Sequence, residues 1–255
     1  MPLLETTELS KYFGGVVALE SISLSIEKGE ILGMIGPNGS GKTTFINVLS
    51  GIYRPEKGEV KFKKRDVTGF PPHVITREGI SRTFQNLRVF PNISVLQNIL
   101  TGLHCRIDNS LFGIFFSPFS SMKREKQAEH KSLEILEMVN LAKTKNELAK
   151  NLPYGEQRLL EICRALASEP DLLLLDEPCA GMNPVEIDTL ATFLKKLKSA
   201  GITIFIIEHN MRFVMSIAER IVVLNAGKKF KEGLPAEIQN DREVQEIYLG
   251  EEEEI

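Results

Sequence analysis

Long apolar runs are missing from this 255-residue chain. Its best stretches, residues 202–207 and 111–116, fall far short of the about 18 that a membrane-crossing helix needs. Any role at a membrane must then be peripheral. Cysteine is scarce as well: Cys105, Cys163 and Cys179 are odd in number and form no C-x-x-C pair. That excludes a disulfide framework or a cysteine zinc site and implies a reducing compartment. Neither charge is in surplus, since 31 Lys and Arg face 34 Asp and Glu for a net of -3, which excludes nucleic-acid binding by general basicity. The first ten residues carry Glu5 and Glu8 and no apolar centre, so no secretory leader is expected. What is present, 42% hydrophobic and 25% charged residues, is ordinary globular usage, enough for one large domain or two intimate lobes.

Leu19, Ile22, Leu24 and Ile26, interleaved with Ser and Glu, predict a half-exposed strand closed by Lys28-Gly29. A buried strand is expected over 31–35. The run Gly36-Pro37-Asn38-Gly39-Ser40-Gly41 suits no regular element, and Phe45, Ile46 and Leu49 then predict a helix over 42–50 with Gly51 as its stop. A further short strand is expected over 59–63. From about residue 92 to 163 the character is helical, and the apolar face of Leu133, Ile135, Leu136, Val139 and Leu141 reads as part of an inserted lobe. Strands over 172–175, 202–207 and 221–224, with a helix over 185–199, restore the β-α-β rhythm of a parallel sheet. The acidic end, 251–254, reads as a solvated tail.

Residues 36–43, ending in Gly41-Lys42-Thr43, fit G-x-x-x-x-G-K-[ST], the phosphate-binding P-loop. Each part handles negative charge. Glycines let backbone N–H groups converge on phosphate oxygens, the following helix presents its positive end, Lys42 adds a charge for the β- and γ-phosphates, and Thr43 can ligate Mg2+. The glycine spacing is not G-x-G-x-x-G, and Lys42 turns the reading from dinucleotides to triphosphates. Leu172-Leu173-Leu174-Leu175-Asp176-Glu177 then supplies an acidic pair at the end of a buried strand. Asp176 would hold Mg2+ through water, and Glu177 would orient or deprotonate the attacking water. Alone, Asp-Glu after a strand reads equally as a helix cap; the P-loop decides between them.

Leu152-Pro153-Tyr154-Gly155-Glu156-Gln157 resembles the signature sequence of ATP-binding cassette (ABC) ATPases, usually L-S-G-G-Q. Gln85 in Arg82-Thr83-Phe84-Gln85-Asn86 resembles that family's Q-loop, and His209 in Ile206-Ile207-Glu208-His209-Asn210 its switch histidine. The order along the chain is also the family's. The resemblance implies an α/β fold, a P-loop NTPase (RecA-like) core with an antiparallel β subdomain and an inserted helical subdomain. Residues 1–88 and 164–255 would form the core and 89–163 the helical signature subdomain. It implies ATP and Mg2+, with Gly36, Asn38, Gly39, Ser40, Gly41, Lys42, Thr43 and Thr44 around the phosphates. Thr43, Gln85 and Asp176 would serve the metal, and Glu177 and His209 would be catalytic. Phe13 would stack on adenine, with Tyr12 as the alternative and a buried core aromatic as the other reading of both. Tyr154, Gly155 and Glu156 would reach the nucleotide of a second ABC ATPase, self or paralogue, in an ATP sandwich.

Two positions depart from the family pattern. Asn183 stands where many members carry the D-loop aspartate, and Pro153 replaces the signature serine, offering neither hydroxyl nor N–H. The runs Leu-Pro-Tyr-Gly-Glu-Gln-Arg, Ala180-Gly181-Met182-Asn183-Pro184, Arg-Thr-Phe-Gln-Asn and Ile247-Tyr248-Leu249-Gly250-Glu251 resemble the ATPase of branched-chain amino-acid importers. ATPases of urea and short-chain amide importers and of lipopolysaccharide exporters have similar tails, and the longer 102–131 segment favours the amino-acid group. Its Phe112, Phe115, Phe116 and Phe119 read as local core or, less simply, a docking surface. The resemblance implies transmembrane permease subunits as partners, docking at 86–92 with part of the helical lobe. It also implies an extracytoplasmic solute-binding protein at one remove, the cytoplasmic face of the inner membrane, and no nucleic acid. A soluble repair or translation ABC protein would show sustained heptads or a second P-loop, and a GTPase an N-K-x-D motif; the chain has none of these.

Overall fold

The structure is a computed structural model and describes residues 1–83, 85, 87–103 and 118–252. Its strands are β1 (Pro2–Phe13), β2 (Val16–Glu27), β3 (Ile31–Ile35), β4 (Lys57–Phe62), β5 (Arg65–Asp66), β6 (Ile80–Arg82), β7 (Leu172–Asp176), β8 (Thr203–Ile207), β9 (Arg220–Asn225) and β10 (Lys228–Gly233). An antiparallel sheet runs in the order β2-β1-β4-β5, and a second sheet in the order β10-β9-β3-β8-β7-β6. The second is parallel except at β10, which pairs antiparallel with β9.

Continuous apolar runs make the parallel strands because both faces of that sheet are covered. Period-2 alternation then divides each run between two cores. Leu172, Leu174, Phe205 and Ile207 face the antiparallel sheet and α1 (Lys42–Leu49), where Phe45 meets Phe205 edge-on at 5.9 Å. Leu173, Leu175, Ile204 and Ile206 face the opposite way, against α3 (Val95–Leu103), α5 (Tyr154–Leu166) and α6 (Pro184–Ser199). The remaining helices are α2 (Pro72–Glu78), α4 (Pro118–Met138), α7 (Met211–Ile217), α8 (Pro235–Gln239) and α9 (Arg242–Glu252).

The buried strand at 31–35, the helix after the glycine loop and the β-α-β return all stand where the pattern places them. The structure adds β1, β5, β6, β10, α2, α7, α8 and α9, and α9 carries the chain into the acidic end. Asn86, Phe112, Phe115 and Phe116 lie outside the described residues, as does the side chain of Phe119.

Candidate active site

Four consecutive strands of the parallel sheet, β3-β8-β7-β6, each deliver a sequence-predicted motif just past their C-terminal ends. The P-loop follows β3, His209 follows β8, Asp176-Glu177 ends β7 and Gln85 follows β6. In open α/β sheets this edge is where ligands are bound, because helix N-termini and loops converge there.

The P-loop is glycine where it has to be. Gly36 has φ +152°, and a Cβ there would lie 2.1 Å from the Leu224 carbonyl oxygen; Gly41, which begins α1, has φ +102° with the Ala18 oxygen 2.5 Å from such a Cβ. Lys42 is buried, and its Nζ donates to the Gly36 and Pro37 carbonyl oxygens at 2.7 Å each and to Ser40 Oγ at 3.4 Å. Asn38 and Gly39 form the exposed tip of the loop, Thr43 is exposed and Thr44 half-buried. No acidic residue lies in the first turn of α1, so nothing there competes for its positive end.

Asp176 is 1% exposed. Its Oδ2 accepts from Arg82 Nη2 at 2.8 Å, while Oδ1 has no hydrogen-bond partner among the described residues. Arg82 also donates through Nη1 to Asn47 Oδ1 (2.6 Å) and Ser50 Oγ (2.9 Å), joining the acidic strand end to α1. Burial pushes the Asp176 carboxyl up from its ordinary value and the Arg82 charge opposes this; burial likewise lowers Arg82, with Asp176 opposing. A buried carboxylate with one unpartnered oxygen, on the same edge of the sheet as a phosphate loop with an exposed threonine, is a donor set that fits a hard divalent cation.

Glu177 is where three loops meet. Its Oε1 lies 2.9 Å from His209 Nε2, and its Oε2 accepts from Gln85 Nε2 at 2.9 Å. The residue has φ +47°, an uncommon conformation for a side chain this size, and its N–H donates to the Ile207 oxygen at 2.9 Å. Strain of this kind persists where the surroundings over-determine it, commonly at functional sites.

Phe13 ends β1 and is 41% exposed, which puts it outside the core, whereas Tyr12 is half-buried. Its ring meets Tyr53 edge-on at 5.2 Å, and Lys11 Nζ lies 5.1 Å from its centroid. Tyr154 is exposed, Gly155 buried and Glu156 half-buried at the start of α5, with Pro153 as its cap residue. Among the described residues no hydrogen bond or ion pair joins these three to the P-loop; a Cβ on Gly155 would instead strike Glu186 Cδ at 2.5 Å. That glutamate and Asn183 form the capping box of α6: Asn183 Oδ1 accepts from Val185 N and Glu186 N, and Glu186 Oε2 accepts from Asn183 N.

Sequence reasoning passed over three buried charged groups here, Arg158, Glu161 and Glu208. Glu208 is 3% exposed, and its carboxylate accepts from Cys179 N (2.6 Å), His209 N (3.1 Å) and Asn210 N (3.3 Å). It therefore fastens the switch loop to the turn after Glu177. Burial raises the thiols of Cys163 and Cys179 well above the ordinary range, so neither is a ready nucleophile.

Residues 19–180 match the family described as ABC transporter. The chain belongs to that family. This cassette is therefore an ATPase that binds nucleotide. Residues 232–254 also match the family described as branched-chain amino acid ATP-binding cassette transporter. The cassette is 41% identical to the high-affinity branched-chain amino acid transport ATP-binding protein BraF of Pseudomonas aeruginosa, and 39% identical to LivG of Salmonella typhimurium. Each match covers 98% of both chains. Among solved structures, it resembles the ADP conformation of MJ1267, an ATP-binding cassette of an ABC transporter. The TM-score is 0.87 and the identity 35%, over 98% of the cassette and 99% of that chain. The fold is accordingly the P-loop NTPase core with antiparallel and helical additions that the motifs imply. No helix among the described residues is long and apolar enough to cross a membrane.

Proposed function

We propose that the cassette is the ATP-hydrolysing subunit of a membrane importer for branched-chain amino acids, working at the cytoplasmic face of the inner membrane. The observation that carries this reading is near-full-length similarity to two such ATP-binding proteins, together with the C-terminal match at 232–254, a segment that holds α8 and α9. Gly36, Asn38, Gly39, Ser40, Gly41, Lys42, Thr43 and Thr44 hold the phosphates of ATP, and Phe13 stacks on its base. Thr43, Gln85 and Asp176 are the residues that would hold Mg2+, which when bound supplies positive charge at the β- and γ-phosphate oxygens. Glu177 orients the attacking water and accepts its proton, and His209 fixes the carboxylate through the 2.9 Å contact at Oε1. Tyr154, Gly155 and Glu156 are offered to the nucleotide of a second cassette.

Residues 89–163 act as a lobe on the core made by 1–88 and 164–255. Between them lies a groove of about 660 Å3 lined by Arg82, Arg88, Phe90, Thr101 and Arg164, with the Arg164 guanidinium 5.1 Å from the Phe90 ring centre. It runs along residues 87–90, just after Gln85, to the helical lobe and suits the transmembrane permease subunits, which in turn receive solute from an extracytoplasmic binding protein. The test is uptake of labelled leucine, isoleucine and valine by cells carrying wild-type or Glu177→Gln cassette. The variant should bind ATP, pair into a stable dimer on size-exclusion chromatography with ATP and Mg2+, and abolish uptake. Unchanged amino-acid uptake with loss of urea or amide uptake, or of lipopolysaccharide export, would move the cassette to one of those transporters.

A further inference from the structure

The loops around Glu177 are gathered by a side chain that is not itself one of the predicted nucleotide contacts and that reaches those residues only through their backbone. Arg158, on α5, is fully buried, as is its partner Glu161 one turn later. Its Nη2 donates to the carbonyl oxygens of Glu177 (2.8 Å), Gln85 (3.1 Å) and Asp176 (3.4 Å), and its Nε to that of Pro178 (3.3 Å). Nη1 donates to Glu161 Oε2 at 2.8 Å, and Glu161 Oε1 accepts from the backbone N–H of Arg88 at 3.3 Å. One ion pair on the signature helix thus grips the loop after β6 at Gln85 and at Arg88, and the turn after β7 from Asp176 to Pro178.

A guanidinium removed from water survives only where its fork of donors is used, and here the acceptors are mostly backbone. Bonds to carbonyls fix where the chain runs, not how a side chain is charged. The gripped residue Glu177 is the one at φ +47°, held through its N–H by Ile207 and through its C=O by Arg158. Rotation of α5 therefore acts on the backbone that aims the Glu177 carboxylate.

We propose that Arg158, braced by Glu161, is a positioning residue for hydrolysis, setting the backbone of Gln85 and Glu177 in register with the signature helix so that movement of the helical lobe is delivered to the carboxylate. This rests on the reading of Glu177 as the group that handles the attacking water. Lysine keeps the charge but has no planar fork to span several carbonyls. Methionine keeps much of the volume and, with Glu161→Gln beside it, removes the buried pair without stranding a charge.

The test uses the full chain with Arg158→Lys, the double variant Arg158→Met/Glu161→Gln, and each of these combined with Glu177→Gln. Fluorescent-ATP affinity, single-turnover hydrolysis and thermal unfolding are measured on each. Arg158→Lys should lower the hydrolysis rate by about tenfold or more, equivalent to about 1.4 kcal/mol or more of barrier. Affinity for ATP should stay within about threefold, since Arg158 acts on the chemical step. In the Glu177→Gln background the same change should cost less than about twofold, because residues that act through one another are not additive. The double variant should melt near wild type yet hydrolyse as slowly as Arg158→Lys. A full rate in Arg158→Lys, a tenfold loss that persists beside Glu177→Gln, a parallel loss of ATP affinity, or failure of both Arg158 variants to fold would each overturn the proposal. Full turnover by Glu177→Gln alone would instead remove the reading of Glu177, a separately visible result.

Discussion

Glu208→Ala strips three backbone N–H groups of their acceptor at once, those of Cys179, His209 and Asn210. The His209 side chain is 40% exposed, so water can reach the switch end of the site and restore part of the bonding there. Cys179 is 6% exposed and has no such access. A stranded buried donor costs about 1–3 kcal/mol, and bonds to a charged acceptor are at the strong end, so the loss should total about 2–4 kcal/mol. For a chain of this size that lowers the melting temperature by roughly 5–15 °C. Glu208→Gln can keep the 2.6 Å bond from Cys179 through its amide oxygen but turns an N–H2 towards two N–H donors, so it should fall about midway. Activity should fall further than stability at the assay temperature, because the two loops that Glu208 joins also carry His209 and Glu177. The assay is calorimetric melting of the three proteins beside steady-state ATP turnover at a temperature where all are folded. Glu208→Ala melting within about 2 °C of wild type with unchanged turnover would refute the claim that this carboxylate fastens the switch.

Lys42→Ala should weaken ATP binding by about 10- to 100-fold, the loss of one strong charge-assisted contact, with little change in melting; equilibrium binding of labelled ATP checks it. Gly155→Val should displace Glu186, open the capping box of α6 and cost about 1 kcal/mol, together with most turnover, whereas Pro153→Ser should equal or modestly exceed wild-type turnover. Steady-state rates of the two variants give the ranking, and a large loss for serine alone would reverse the assignment of the approaching residue to Gly155. Gln85→Ala removes the donor to Glu177 Oε2 and should uncouple solute uptake from ATP turnover in reconstituted vesicles; a proportional fall in both would leave Gln85 as a metal ligand only.

The sheet and the place of the glycine loop were legible because few sequences can serve them. A run such as Leu172 to Leu175 suits a strand buried on both faces, and a glycine loop followed by Lys42 suits little besides phosphate. Edge and connecting elements were harder to see. β10, Lys-Lys-Phe-Lys-Glu-Gly, is exposed over half its length and reads as a polar turn, and β6 has three residues whose strand form depends on pairing with β7. Arg158 and Glu161 look like surface charges because composition prices them for water. The signal that could have exposed them was their own helix: Leu159, Leu160, Ile162, Cys163 and Leu166 leave α5 no fully solvated side, so its charges had to find partners inside. Glu208 gave no such sign, its acceptor role being completed by the N–H of Cys179, 29 residues away in the chain.

The direct pairing of β6 with β7, Ile80 opposite Leu172 and Arg82 opposite Leu174, means that the chain between them leaves the sheet and returns to the same place. Thermodynamically that excursion is one closed loop. Its closure entropy grows only logarithmically, about 0.6 kcal/mol for each doubling of length. Additions to the helical lobe therefore burden the nucleotide core very little, provided the two ends of the excursion keep their register. A cassette of this plan can exchange or enlarge its helical lobe while the edge of the sheet beyond the strand ends stays as it was, and a chimera joined at residues 83 and 171 is the natural way to graft one lobe onto another core.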